Sequence, residues 1–179
     1  MRNARMILYP LVVIVFGALF AYFGSQLLNN WVFIPLAVLY WGATFLISFK
    51  ELGAEEMKAL FKKPIGKKRW LYLSLFVGLI PLSIMLMNLE LLKDPLVIAL
   101  WLVFAFINPW FEEIFWRGFL LQRLPFGNVA NAVYSTLLFV LSHPFMWGVF
   151  SIANRSWMTW LSLTIMGSIW SVVFIKTKS

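Results

Sequence analysis

Long apolar runs separated by short polar breaks set the pattern of this chain. The runs predict six membrane spans, at about 6–28, 31–49, 70–87, 95–124, 129–150 and 157–175, since roughly 20 residues of helix cross a hydrocarbon core about 30 Å thick. Most breaks are brief, such as Asn29-Asn30 and the turn Pro125-Phe126-Gly127-Asn128, and a short loop with Glu90, Lys93 and Asp94 precedes the fourth span. The exception is residues 50–69, which hold Lys50, Lys58, Lys62, Lys63, Lys67, Lys68 and Arg69. Within it, 54–63 has Met57, Leu60 and Phe61 on one side and predicts a short amphipathic helix whose lysines favour anionic headgroups. The expected fold is all-α, a polytopic integral membrane bundle of about six transmembrane helices forming one domain over 1–179. A hairpin and basic loop occupy 1–69, and a helical core occupies 70–179.

Composition agrees with that pattern. Of 179 residues 62% are hydrophobic and 12% charged, with 10 Trp and 18 Phe, more apolar surface than a soluble domain of this size needs. The net charge of +8 suggests a nucleic-acid partner at first sight, but the basic residues flank apolar spans, and topology explains them without one. A cytoplasmic N-terminus collects on one side every basic residue except Lys93, Arg117 and Arg155, so both termini are expected inside. The first run follows Arg2 and Arg5 without a small-residue cleavage pattern and reads as a retained helix rather than a removed signal peptide. There is no cysteine, which excludes disulfides, thiolate chemistry and Cys-based metal clusters. Asn154-Arg155-Ser156 matches a glycosylation sequon only by chance, in a loop very close to the membrane. The Trp residues near the span ends read as interfacial anchors.

Three charges fall well inside the fourth run, Glu112, Glu113 and Arg117, with Arg123 at its end. Ionisable residues at membrane depth are costly and mark functional sites by default, although a solvated, inert position at the cytoplasmic interface is the competing reading. On an α-helix Glu113 and Arg117 share a face in the favourable orientation for an ion pair. Glu112 points about 100° away, toward a cavity or a neighbouring helix. The single histidine, His143, lies on the fifth run with Phe139 one turn before it and Pro144 just after; alone it reads as a packed residue. Centring both spans on the bilayer puts an axial gap of about 10 Å between Glu113 and His143, to be closed by tilt, a break at Asn108-Pro109 or Pro144, and side-chain reach. One histidine without cysteine does not assemble a zinc site with two or more imidazoles. A carboxylate removed from water can act as a general base on a water molecule that a nearby imidazole orients, and that chemistry suits peptide hydrolysis within the membrane.

Glu112-Glu113-x-x-x-Arg117 followed by Phe139-x-x-x-His143 resembles two motifs of the CPBP family, the CAAX proteases and bacteriocin-processing enzymes also called Abi, over about residues 97–175. The resemblance implies a membrane-embedded endopeptidase of a family described both as metalloproteases and as glutamate peptidases. In it Glu112 activates water, His143 assists, and Glu113, Arg117 and Phe139 support the site. The glutamate mechanism requires no cofactor; if a zinc ion takes part, Glu112 and His143 are its candidate ligands. Expected partners are membrane lipids and a membrane-associated peptide or lipidated protein, with no nucleic acid, and the expected location is the bacterial plasma membrane. The family's third motif, His-x-x-x-Asn or His-x-x-x-Asp on a further helix, is not found before Ser179, and neither Asn131 nor Asn154 stands in it, so the expectation is either a sequence cut short of that helix or a member lacking part of the site. That leaves a catalytically incomplete member, acting in bacteriocin immunity or as a membrane scaffold, as the alternative. A small ion or proton transporter lined by the acidic pair and His143 is the third reading.

Overall fold

Apolar runs form helices here because a backbone out of water must satisfy its own hydrogen bonds. A computed structural model describes residues 2–62, 68–80, 82, 86, 89, 93–149 and 151–178. Helix α1 spans Arg2–Leu28 and α2 spans Phe33–Leu60, joined by a 3-10 turn at Asn29–Val32. Asn29 takes a left-handed φ of 51° there, which a short amide side chain tolerates better than most. The turn folds the two helices against each other, and the Tyr9 hydroxyl of α1 donates to Glu51 Oε1 of α2 at 2.8 Å.

The second span does not end at Phe49 as the charge pattern suggested. The α2 helix runs on to Leu60 across a break at Gly53, whose φ of 77° and ψ of 171° leave helical space, a conformation glycine adopts without steric cost. The amphipathic segment after Gly53 is therefore the tail of α2, and Met57 on its apolar side is buried while Phe61 is exposed. It is clamped rather than free: Arg123 Nη2 donates to both Glu56 oxygens at 2.8 and 2.7 Å and to the Glu51 carbonyl at 3.3 Å. Lys63, Lys67, Glu90 and much of the third span lie outside the described residues; the start of that span is α3, Lys68–Val77.

Helix α4, Pro95–Glu112, starts on an Asp94 cap whose Oδ1 accepts from the Leu96 N–H at 2.7 Å, with Pro95 in the first turn where no amide proton is needed. It passes through a π-helical turn, Glu113–Phe119, into α5, Leu120–Arg123. Helix α6, Asn128–Met146, follows Gly127 at φ 90°. Buried Asn131 donates to the Leu121 and Leu124 carbonyls at 3.3 and 2.9 Å, which gives the orphan acceptors at the end of α5 a partner. Two 3-10 turns, Trp147–Val149 and Ile152–Arg155, lead to α7, Trp157–Thr177. Arg155 donates to the Gly148 and Val149 carbonyls between them.

Packing centres on the π-turn. It lies against α2, while α6 packs on α1 and α7, and α3 packs on α7. Phe115, Trp116, Phe119 and Leu120 have no exposed surface. Outward, α1 presents Phe16 and Phe23. Among the described residues, four stretches are long and apolar enough to cross a membrane, Asn3–Leu60, Pro95–Arg123, Asn128–Val149 and Trp157–Thr177, and the first of these is the α1–α2 pair. No strand occurs among the described residues. The fold is an all-α membrane bundle.

Candidate active site

The charged motif of the fourth span sits where the helix changes its winding. Sequence spacing implied a continuous α-helix, but Glu113–Phe119 forms a π-turn, whose i→i+5 bonding widens the helix and is often found at functional sites. Ser135 of α6 donates its hydroxyl to the Trp116 carbonyl within the turn at 2.6 Å. At Gly118 the α2 tail comes close: a Cβ there would lie 2.6 Å from Leu60 Cδ1, so a larger residue would have to displace the Leu60 side chain. Four residues remain close to one turn in either winding, and Arg117 Nη1 still meets Glu113 Oε1 at 3.0 Å.

Glu112 turns away from that pair and takes the neighbouring helix rather than a cavity. It is 7% exposed and interacts through its side chain with Asn108, one turn before it, and with Tyr40 of α2. Both partners are oriented from behind. Trp41 Nε1 donates to Asn108 Oδ1 at 2.9 Å, which leaves the Asn108 amino group to donate to the carboxylate. Trp116 Nε1 donates to Tyr40 Oη at 2.9 Å, which leaves the Tyr40 hydroxyl proton for the same use. Glu112 Oε1 has no hydrogen-bond partner. The result is a buried carboxylate beside two oriented polar groups, with Oε1 unpartnered. We expect Tyr40→Phe to lower stability by about 1–3 kcal/mol, because the buried Trp116 N–H then lacks an acceptor; a melting temperature equal to that of the wild type in the same detergent would contradict this.

Arg117 occupies the other side of the turn. It is 1% exposed, and its Cζ lies 4.3 Å from the Phe139 ring centroid and 5.5 Å from that of Trp170, contacts that stabilise a guanidinium over an aromatic face. Nη1 approaches Glu113 off the hydrogen-bond direction, so none of the three guanidinium nitrogens has a hydrogen-bond partner. Gly167 of α7 makes room for the group, since a Cβ there would lie 3.2 Å from Arg117 Nη2.

His143 joins this side, not Glu112. Its ring stands 4.9 Å from that of Phe139 at 75°, so Phe139 contacts both the guanidinium and the imidazole. His143 Nδ1 lies 2.9 Å from the Phe139 carbonyl and 3.3 Å from Ser142 Oγ, whose own proton goes to the same carbonyl at 2.7 Å. Nδ1 is thus the protonated nitrogen, and Nε2 is left as the acceptor. Neither carboxylate is among the histidine's partners in the described residues. The two sequence motifs meet through Arg117, Phe139 and His143, while Glu112 stands one helix face away.

A cavity of about 570 Å³ opens beside the pair, with Glu113, Arg117, Trp110, Trp170, Leu75 and Phe174 among its walls. The carboxylate that reaches it is Glu113, with 40% of its side chain exposed. A zinc centre needs at least three protein ligands, and the described residues contain no cluster of three His, Cys, Asp or Glu side chains. Among the described residues Glu112 and His143 belong to no such cluster.

Sequence reasoning missed Asn108, Tyr40, Trp41 and Trp170. Asn108 carried a signal, a polar residue four positions before Glu112 inside an apolar run; the others read as ordinary aromatic residues of the spans. No curated protein and no solved structure matches the chain significantly. Residues 94–179 match the model of the family described as type II CAAX prenyl endopeptidase Rce1-like. The match takes in the acidic pair, Arg117, Phe139 and His143, so this part of the chain is similar to the CAAX protease family.

Proposed function

We propose that the protein is an intramembrane endopeptidase that cleaves a membrane-associated or lipidated peptide with water activated by Glu112. The observation that carries this reading is the unpartnered Glu112 Oε1, held in place by Asn108 and Tyr40 acting on the same carboxylate. In the proposed step Oε1 takes a proton from water, the water oxygen bonds to the scissile carbonyl carbon, and the C–N bond breaks as the proton passes to the leaving amine. His143 assists by presenting Nε2 to the water. Glu113 and Arg117 fix the π-turn that directly follows Glu112, with Phe139 supporting the guanidinium. No step is routed through a metal. The basic flanks favour a cytoplasmic location for both termini in a bacterial plasma membrane.

The test is hydrolysis by the full chain in proteoliposomes, with a prenylated peptide as substrate and oxygen-18 water as solvent. The expected result is two fragments, the new carboxyl terminus carrying one oxygen-18. Intact peptide after prolonged incubation would overturn the endopeptidase reading in favour of a non-catalytic scaffold.

A further inference from the structure

Past the break at Gly53, the end of α2 is held far more loosely than the helix before it. Of residues 54–61 one side chain, Met57, is buried, and a stretch with so few buried apolar contacts opens locally at low cost. The same stretch is a wall of the cavity that Glu113 reaches, since Leu60 and Phe61 line it together with Val173 and Trp170. Three attachments keep the wall in place. Leu60 rests on the π-turn, where a Cβ on Gly118 would meet its Cδ1. Phe61 stacks on Trp110 with ring centroids 5.9 Å apart at 27°, and both residues are more than half exposed. Arg123 pairs with Glu56 at 2.7 Å, but with side-chain exposures of 23% and 45%, so solvent screens the pair.

The backbone at the break adds a fourth observation. The φ of 77° and ψ of 171° at Gly53 fall in a region essentially closed to every other residue. A Cβ there would nevertheless meet nothing within 4 Å. Space does not require the glycine; the backbone angle alone does, and that angle turns the segment toward the cavity instead of along the helix axis. We infer that residues 54–61 form a gate over this cavity, hinged at Gly53 and latched by Arg123 on Glu56. Releasing the latch lets the segment swing about the glycine, and the inner wall then meets water. Arg123 ends the helix that follows the π-turn, so the latch ties the gate to the run that carries Glu113. The gate does not depend on the endopeptidase reading, and its test involves no cleavage.

The chain has no cysteine, so one introduced thiol reports access to one point. Val173→Cys places it in the cavity wall, where the valine is 7% exposed. Ala21→Cys, at a fully buried position of α1 that does not line the cavity, reports general loosening. The full chain in phosphatidylcholine nanodiscs is treated with methanethiosulfonate ethylammonium, a small water-soluble thiol reagent, and labelling is followed by mass. Glu56→Gln is expected to speed labelling of Val173→Cys about fivefold, the worth of a partly exposed ion pair. Gly53→Ala is expected to speed it about tenfold or more, because alanine disfavours the closed backbone. Lys58→Gln, which breaks only the exposed pair with Glu55, is expected to leave the rate unchanged. An unchanged rate in either Glu56→Gln or Gly53→Ala overturns the gate. So does equal acceleration at Ala21→Cys, which assigns the effect to general loosening, and so does Lys58→Gln matching Glu56→Gln, which assigns it to charge alone.

Discussion

Glu113→Ala is expected to destabilise the protein by about 3 kcal/mol or more, and Arg117→Met by far less. The asymmetry follows from where the two charges sit. Removing one partner of a buried pair costs roughly 3–5 kcal/mol because the other charge is left uncompensated. Arg117, at 1% side-chain exposure, is the charge left behind by Glu113→Ala, whereas Glu113, at 40%, can be solvated after Arg117→Met. Partial exposure screens the pair, which sets the estimate at the lower end of that range. Methionine also fills the space between Phe139 and Trp170 and removes three nitrogens that make no hydrogen bond. Thermal unfolding of both variants in one detergent decides the matter. Equal losses would mean that Arg117 is not buried as described.

Trp116→Ala has the other large effect on stability. Trp116 is fully buried, packs edge-on against Phe115 at 5.0 Å and Phe139 at 6.0 Å, and holds Tyr40 through its indole N–H. Truncating a buried Trp costs about 3–5 kcal/mol in lost contacts and residual cavity. Six positions earlier in the sequence, Trp110 is 61% exposed on the cavity rim, and Trp110→Ala is expected to change stability by well under half as much. The same comparison reads the site as well. Without its Trp116 donor, Tyr40 has no fixed orientation toward Glu112, so Trp116→Ala should lower cleavage by the fraction that remains folded, and Trp110→Ala should not. A Trp110→Ala variant less stable than Trp116→Ala would contradict the packing of the π-turn.

Span positions were legible because length and hydrophobicity alone decide them. The run predicted over 95–124 is the continuous stretch Pro95–Arg123, and the run over 157–175 is Trp157–Thr177. The Glu113–Arg117 pair was legible for a related reason, since spacing on one helix is local. The end of α2 was not: seven basic residues marked 50–69 as a loop, yet a glycine break and the Arg123 clamp on Glu56 keep 54–60 helical and packed. The π-turn left no trace either, because i→i+4 and i→i+5 winding share the same apolar pattern over seven residues. Tyr40 and Trp41 reach the site from 76 and 67 residues away in sequence. Contacts of that kind come from packing between helices, which no periodicity records. The same limit applies to His143, whose spacing and depth invited a pairing with Glu112; the geometry sets it instead against Phe139.

The proposed mechanism places its base at one atom, Glu112 Oε1, and Glu112→Gln tests it with almost no change in shape. The measurement is single-turnover cleavage of a prenylated peptide by the full chain in proteoliposomes, wild type against Glu112→Gln, with melting temperatures recorded on the same preparations. A positioned general base contributes roughly 10²–10⁴-fold, so the account expects a loss of that order in a variant that stays folded. Cleavage by Glu112→Gln at the wild-type rate would contradict it.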